Sequence, residues 1–173
     1  MRNQKGTTLV ELVIYIGIVG MILTTVSMFL LNLLTTRAKT AAITETLANG
    51  RLVQERLTEA MRHASGIVVL DSEFGTDPGV LSLEMADLTL SPTIFSLNED
   101  DGQVQVSEGG LPPVTLTTND VHITDFQFQN LTSPEDVGII QLQFTIEVDN
   151  PSLSPRFDYA QSFQTTARIP LGQ

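Results

Sequence analysis

The residue types that most often carry enzyme or metal chemistry are scarce in this chain of 173 residues. It has no cysteine, which excludes a thiolate nucleophile, a disulfide framework and a Cys-ligated metal site. The two histidines are far apart: we expect His63 near the end of a helix and His122 on the polar face of a strand. Because no nucleophile-elbow, phosphate-loop or dinucleotide-binding glycine pattern appears, the sequence predicts neither enzymatic activity nor a cofactor.

Acidic runs are the remaining candidates for a metal site. Residues 98–102, Asn-Glu-Asp-Asp-Gly, partly resemble a calcium loop, but Leu97 would then stand at the first ligand position. A hairpin turn between two strands explains the same residues. Asp71, Glu73 and Asp77 form a second acidic run, which we interpret as a solvated connection. We therefore expect no metal at either run.

Glu11 is the charged residue whose position is hardest to explain. It precedes residues 12–34, which are apolar on every face of a helix about 35 Å long, enough to cross a bilayer. A carboxylate near hydrocarbon costs about 2–3 kcal/mol even on the lenient insertion scale. Lys5 lies off the (i, i+4) face and is a poor local partner. Glu11 therefore either faces water at the interface or pairs with a cation from another molecule.

The segment KGTTLVELVIYIGIVG resembles the class III signal of type IV prepilins and pseudopilins. Gly6 matches the residue before the prepilin-peptidase cut, Thr7 the new N-terminus, and Glu11 the glutamate at the fifth place after the cut. The resemblance implies removal of leader 1–6, N-methylation of Thr7, and pairing of Glu11 with the Thr7 ammonium of a neighbouring subunit. An ordinary signal peptide fits less well, since its apolar stretch is about 7–15 residues and its small residue follows that stretch.

This resemblance also implies a location and a set of partners. The subunit would begin as a single-pass protein of the bacterial inner membrane, with its N-terminus inside, and later enter an extracytoplasmic filament. Its partners would be the prepilin peptidase, other pilin or pseudopilin subunits, the inner-membrane assembly platform and lipid. In such a filament Gly17 and Gly20 would permit close helix contact, although helix flexibility explains them as well.

Beyond the transmembrane and polymerisation helix, residues 7–34, we expect an amphipathic helix over 35–65. All eight prolines fall after residue 77, and we expect the helix to continue through Asn49-Gly50. Its apolar stripe needs a sheet to cover it. The members of that stripe are Ile43, Leu47, Val53, Leu57, Met61 and Ala64.

The remainder, 66–173, is predicted to be a β-rich domain, so the fold class is α+β with a pilin-like layout. Residues 139–149 alternate apolar and polar, and a shift of that alternation predicts a β-bulge at Thr124-Asp125. An antiparallel sheet or two small sheets should result. Shorter strands are expected at 67–70, 80–85, 93–97, 103–106, 114–118 and 157–169.

Three further features favour a minor subunit over a major one. Met28 stands where many major pilins have a kinking proline, and the cysteine pair of many pilins is missing. The ending FDYAQSFQTTARIPLGQ resembles the closing strand of J-class (PilW-like) minor pilins.

Residues 71–173 carry sixteen acids and two bases, a net charge of −14, which argues against nucleic acid as a direct partner.

Two other functions remain open at the sequence level. The chain could be a monomeric membrane-anchored adhesin or binding module, with Glu11 merely at the interface. It could also be a membrane-bound enzyme that uses its acidic loops, Asp100 and Asp101 above all. The N-terminus of the mature protein distinguishes the first alternative from a pilin-like subunit, and substitution of the acidic loop tests the second.

Overall fold

The fold is α+β, as the sequence predicts: one long N-terminal helix is followed by antiparallel strands. The computed structural model describes residues 8–133, 138–148 and 159–169. Within them the chain forms helix α1 and eight strands in two sheets. The bounds are α1 Leu9–His63, β1 Ala64–Ile67, β2 Leu81–Met85, β3 Thr93–Asn98, β4 Gln103–Glu108, β5 Val114–Thr115, β6 Val121–Asn130, β7 Ile139–Val148 and β8 Ala160–Arg168, with a 3-10 turn at Val69–Asp71.

Helix α1 is continuous through Asn49-Gly50, as expected from the absence of proline. It contributes to two compact units, one ending at Thr40 and the other beginning at Ala41. In the first unit the apolar side chains are exposed to solvent. In the second, the helix has a buried face, so the same element serves two different environments along its length.

The buried face of α1 in the second unit differs in part from the predicted stripe. Val53, Leu57 and Met61 are fully buried as predicted, whereas Ile43 and Leu47 are half-buried. The residues that replace those two in the interior are polar or small: Thr46, Asn49 and Gly50. The helix also ends two residues earlier than expected, at His63, and the predicted member Ala64 is buried as the first residue of β1.

Asn49 is buried because it binds the connection that follows β5. Its Nδ2 donates to Thr118 Oγ1 at 3.2 Å, and its Oδ1 accepts from Thr118 N at 3.0 Å. Glu45 Oε1 completes the cluster, accepting from Asn49 Nδ2 at 3.0 Å and from Thr118 Oγ1 at 2.8 Å. These bonds satisfy a polar side chain that would otherwise destabilise a buried helix face.

Gly50 is buried because an aromatic ring of β8 packs on it. A Cβ added at Gly50 would overlap the ring of Phe163. That ring is stacked on Phe144 at a centroid distance of 5.3 Å. Next to this contact, Gln54 Nε2 of the helix donates to the Gln164 carbonyl of β8 at 3.1 Å. The glycine therefore marks a close approach between helix and strand.

The first sheet has five strands in the order β1-β2-β3-β4-β5, each antiparallel to its neighbour. The hairpin between β3 and β4 is confirmed, with Asn98 paired to Gln103. The strand predicted at 67–70 is wrong except for Ile67, because β1 ends there and the 3-10 turn follows. The strand predicted at 114–118 is confirmed in part: β5 covers only Val114–Thr115, and the Thr117 hydroxyl beyond it accepts from Val104 N.

The second sheet has three strands in the order β6-β7-β8. The alternation along β7 is confirmed, with Ile140, Leu142, Phe144 and Ile146 buried. The bulge is confirmed as well: the register shifts between Thr124 and Gln127, and Asp125 has a φ of 53°. Gly75 N and Gly79 N donate to β6 carbonyls at 2.8 and 2.7 Å, so much of that edge is covered by backbone.

The core of the second unit lies between α1 and the two sheets. Phe126, Phe128 and Phe144 are fully buried, and Phe126 meets Phe128 edge to face at 5.1 Å. Leu57 and Met61 supply the helix side of the same cluster. Each fully buried side chain of this size contributes about 1.5–3 kcal/mol, so this cluster holds the helix on the sheets.

Candidate functional site

The N-terminus of α1 carries the residues that the sequence singles out for function, and local hydrogen bonds explain why the helix begins there. Thr8 precedes the first helical residue, and its Oγ1 accepts from Glu11 N at 3.3 Å. Its carbonyl accepts from Leu12 N at 3.1 Å. Thr8 and Glu11 thus have the spacing of a capping box, in which a Ser or Thr cap is followed three residues later by Glu or Gln. The three-residue spacing of Thr8 and Glu11 is the sequence signal for this cap.

The carboxylate of Glu11 has a partner inside its own helix. The Tyr15 hydroxyl donates to Glu11 Oε1 at 3.3 Å, one turn further along, and both side chains are exposed. A phenol is neutral, so this bond stabilises the carboxylate without compensating its charge. Among the described residues no basic side chain forms an ion pair with Glu11. Within the described residues its charge is therefore not compensated.

The helix that follows Glu11 is long and apolar enough to cross a membrane. Its most apolar 18-residue window has a mean hydropathy of 2.3, and none of that window is buried within the structure. Gly17 and Gly20 lie in this stretch, and a Cβ added to either would meet no atom within 4 Å beyond the adjoining residues and the backbone of its own helix. Both positions are thus open on the apolar surface.

Several threonine hydroxyls along this helix are satisfied by the helix backbone. Thr24 Oγ1 donates to the Gly20 carbonyl at 2.8 Å, and Thr25 Oγ1 to the Met21 carbonyl at 2.9 Å. Thr36 Oγ1 makes the same bond to the Asn32 carbonyl at 2.9 Å. A threonine that bonds back to the preceding turn exposes no unpaired hydroxyl to lipid. These residues are therefore compatible with an apolar environment on all sides.

The predicted processing residues, Gly6 and Thr7, lie outside the described residues. The cleavage between them and the methylation of Thr7 stay predictions. The structure brings together Thr8, Glu11 and Tyr15 in the first two turns, whereas Gly17 and Gly20 follow along the same helix. The roles of Glu11, Gly17 and Gly20 in assembly likewise stay predictions.

The acidic runs have ordinary structural roles. Asn98 forms the turn of the β3–β4 hairpin: its Nδ2 donates to Asp101 Oδ2 at 2.9 Å, and its Oδ1 accepts from Asp100 N at 3.2 Å. In the second run, Glu73 pairs with Val80. Across the described ranges no three His, Asp or Glu side chains are grouped so that they could hold a metal ion.

The two histidines lie where the sequence predicts. His63 is the last residue of α1, and its carbonyl accepts from Ala86 N at 3.2 Å. His122 is exposed on β6, and its ring packs on Gly102, whose φ of 61° suits the hairpin turn. They belong to separate elements, so the structure assigns them no shared chemistry.

No protein-family model, curated protein or solved structure matches the chain. The family resemblance of the N-terminal segment therefore depends on its own residues and their spacing. The structure itself shows an N-terminal helix that is long and apolar enough to cross a membrane, and antiparallel sheets that follow it along the chain.

Proposed function

We propose that this chain is a type IV pilin-like structural subunit, a minor pilin or pseudopilin, that is processed by prepilin peptidase and assembled into a filament. The observation that carries the proposal is a single carboxylate, Glu11, at the start of a helix whose apolar side chains are exposed all round. Such a surface leaves lipid only for another apolar setting, and a bundle of like helices provides one.

In that bundle Glu11 pairs with the N-terminal ammonium of a neighbouring subunit, as Thr7 does when this chain is the neighbour. The pair sets the register of the subunits, because a misaligned subunit would leave both charges unpaired in a medium of low dielectric. The Tyr15 hydroxyl supports this role by holding Glu11 Oε1 at 3.3 Å while leaving its charge uncompensated. Assembly, not a chemical reaction on a substrate, is then the work of this end of the molecule.

A second candidate function is a monomeric membrane-anchored surface adhesin or binding module. One specific observation favours it: the Tyr15 hydroxyl gives the Glu11 carboxylate a partner within its own helix. A glutamate that has such a partner and lies at a membrane interface needs no second copy of the chain. The two functions therefore differ in whether the charge of Glu11 is required.

Glu11→Gln separates the two functions, because glutamine also serves at this position of a capping box but carries no charge. The full chain is expressed in cells that hold the dedicated peptidase and its filament machinery, and its amount in sheared filaments is measured by immunoblot. The proposal expects normal cleavage and at least a tenfold loss of incorporation, as the removal of one partner of a buried ion pair should cause. Normal incorporation of Glu11→Gln would refute the charge pair and favour the anchored monomer.

Tyr15→Phe is the matched control, since it removes the neutral partner but keeps both the charge and the cap. It should incorporate nearly as well as the original chain. Mass spectrometry of the mature N-terminus completes the test: the proposal expects Thr7 as the first residue, carrying a methyl group. An intact Met1 in cells with active peptidase would refute the prepilin assignment altogether.

A further inference from the structure

Strand β8 forms a long open edge of the second sheet. It has nine residues, and within the described chain it pairs with β7 on one side only. The register of that pairing is unbroken, and β8 contains no proline and no charged residue before Arg168. Proteins usually protect such edges with charges, prolines, bulges or very short strands, because an open edge pairs readily with another chain.

The other sheet edges in the described ranges are protected. β1 has four residues and a register shift between Ala64 and Gly66, and β5 has only two residues. The outer edge of β6 is covered where Gly75 N and Gly79 N donate to its carbonyls. Among the described edges, β8 alone has none of these protections.

The hydrogen bonds at the two ends of β8 show which of its backbone groups face outward. The Tyr159 carbonyl accepts from Val148 N at 3.1 Å, and Ile169 N donates to the Gly138 carbonyl at 3.0 Å. Both bonds join odd-numbered residues to the β7 side, and the register between them is continuous. The even-numbered residues of β8 therefore direct their N–H and C=O groups away from β7.

Two of these outward carbonyls are bonded by glutamine side chains, whereas the outward N–H groups are not bonded. Gln54 Nε2 donates to the Gln164 carbonyl at 3.1 Å, and Gln161 Nε2 donates to the Ser162 carbonyl at 3.0 Å. Side-chain amides thus substitute for the N–H groups of a neighbouring strand. No described residue accepts from Ser162 N, Gln164 N or Thr166 N. These three donors can pair with the carbonyls of an added strand.

The core is also incompletely covered at β8. Phe144 of β7 is fully buried, whereas Phe163, its partner on β8, is half-buried. A side chain directly opposite Phe163 on an added strand would lie about 5 Å away and would cover it. On the other face of β8, Ser162, Gln164 and Thr166 are exposed and uncharged. An added strand would therefore meet an apolar face and a neutral polar face.

We propose that β8 binds an extended segment of a different protein, which adds a fourth strand to the β6-β7-β8 sheet. Backbone hydrogen bonds supply the affinity, and alternate side chains supply the specificity. The segment has apolar residues on the side of Phe163 and neutral or basic residues on the other side. An acidic segment is disfavoured, because residues 71–173 carry a net charge of −14. This contact lies outside the apolar helix and requires neither Glu11 nor a filament.

A second copy of this chain fits β8 poorly. Its other described edges are protected, so only β8 itself could pair with β8. An antiparallel β8–β8 pair would be two-fold symmetric and would reverse the direction of α1 between the copies, although both proposed functions anchor α1 in one membrane. A parallel pair would place the two core faces on opposite sides of the joined sheet, and each Phe163 would stay uncovered.

Hydrogen–deuterium exchange of the full chain in lipid nanodiscs tests the edge. The probe is a synthetic peptide of alternating valine and threonine with a lysine at each end. It should slow the exchange of Ser162 N, Gln164 N and Thr166 N by roughly tenfold or more and leave the amides of β5 unchanged. Unchanged exchange of the three β8 amides at millimolar peptide would overturn the inference.

Gln164→Pro removes one outward N–H group without removing a bond to β7, and proline is tolerated at such an edge position. The peptide should bind this variant at least tenfold more weakly. Gln164→Thr is the matched control, since it keeps the N–H group and should bind normally. Thr166→Pro replaces Gln164→Pro if circular dichroism shows a loss of strand structure in the latter. Equal affinity of a folded proline variant and Gln164→Thr would overturn the inference.

Photo-cross-linking in the native host identifies the occupant. Thr166 is replaced by a benzophenone amino acid, and the adduct is mapped by mass spectrometry. We expect an extended segment of another protein with the stated alternation, and loss of that adduct when Gln164→Pro is added. An adduct with β8 of a second copy would overturn the inference, as would the absence of any adduct. The exchange test needs no filament, so its outcome is independent of the role proposed for Glu11.

Discussion

The contact between Gly50 and Phe163 gives the sharpest test of how α1 is held on the second sheet. Gly50→Ala has two opposing effects. Alanine favours a helix interior over glycine by about 1 kcal/mol, which should stabilise the fold. The added Cβ, however, would overlap the Phe163 ring. Inserting a carbon into a packed contact costs about 1–3 kcal/mol.

The structure indicates which effect is larger. The Phe163 ring is stacked on Phe144 at 5.3 Å with an interplanar angle of 15°, and Phe144 is fully buried. The ring therefore cannot retreat into the core. Taking about 2 kcal/mol for the overlap and about 1 kcal/mol for the helix preference, Gly50→Ala should lower the free energy of unfolding by about 1 kcal/mol.

A double-mutant cycle isolates the contact. In a Phe163→Ala background the overlap is gone, so Gly50→Ala should stabilise the chain by about 1 kcal/mol, and the coupling between the two sites should be about 2 kcal/mol. The measurement is urea unfolding of the detergent-solubilised full chain, followed by circular dichroism. Stabilisation by Gly50→Ala in both backgrounds would refute the close approach, as would a coupling near zero.

Two further predictions concern polar groups. Asn49→Ala should lower the free energy of unfolding by roughly 1–3 kcal/mol, because it leaves Thr118 N without its 3.0 Å acceptor. An unchanged free energy of unfolding, measured with urea, would contradict this hydrogen bond. The Thr89 hydroxyl, together with the Thr89 amide, holds the pKa of Asp87 below its ordinary value, so the resulting stabilisation is lost as pH falls through that lowered pKa. Thr89→Ala should therefore raise the Asp87 pKa measured by NMR titration, whereas Thr89→Ser should preserve it.

Local patterns predicted the elements whose causes are local. The long helix follows from a proline-free stretch of good helix formers, and the buried face of β7 follows from strict alternation over 139–149. The bulge near Thr124 was readable because a one-residue shift in apolar spacing moves Phe126 and Phe128 back to the buried face. In each case the residues adjacent in sequence are enough to predict the element.

The predictions fail where contacts with other parts of the chain determine the structure. The sequence predicts that the helix continues through Asn49 and Gly50 but not that they are buried, and Thr118 and Phe163 make them part of its buried face. The β-branched run after Ser65 read as a strand, but the Ser72 hydroxyl bonds both Val68 and Ser82 and turns the chain. Partners tens of residues away leave no trace in local periodicity.

At the candidate site, the sequence pointed to Glu11 through charge and position, which are local properties. Its two hydrogen-bonded neighbours also have local signals. Thr8 has the spacing of a helix cap to Glu11, and Tyr15 is one helical turn from it. Gly17 and Gly20 were singled out by residue type alone, and the described residues supply no contact that would explain either one.

The arrangement of polar groups along α1 explains why one charge could set the register in the proposed filament. Thr24 and Thr25 bond back to their own helix, so neither hydroxyl favours a particular alignment with a neighbour. The apolar surface is aliphatic nearly all round, and a slip of one turn, about 5.4 Å, would exchange similar contacts. That same slip would separate Glu11 from a paired ammonium and leave two charges in a medium of low dielectric. Aliphatic packing therefore favours association of the helices, while the carboxylate selects one alignment among many of similar packing energy.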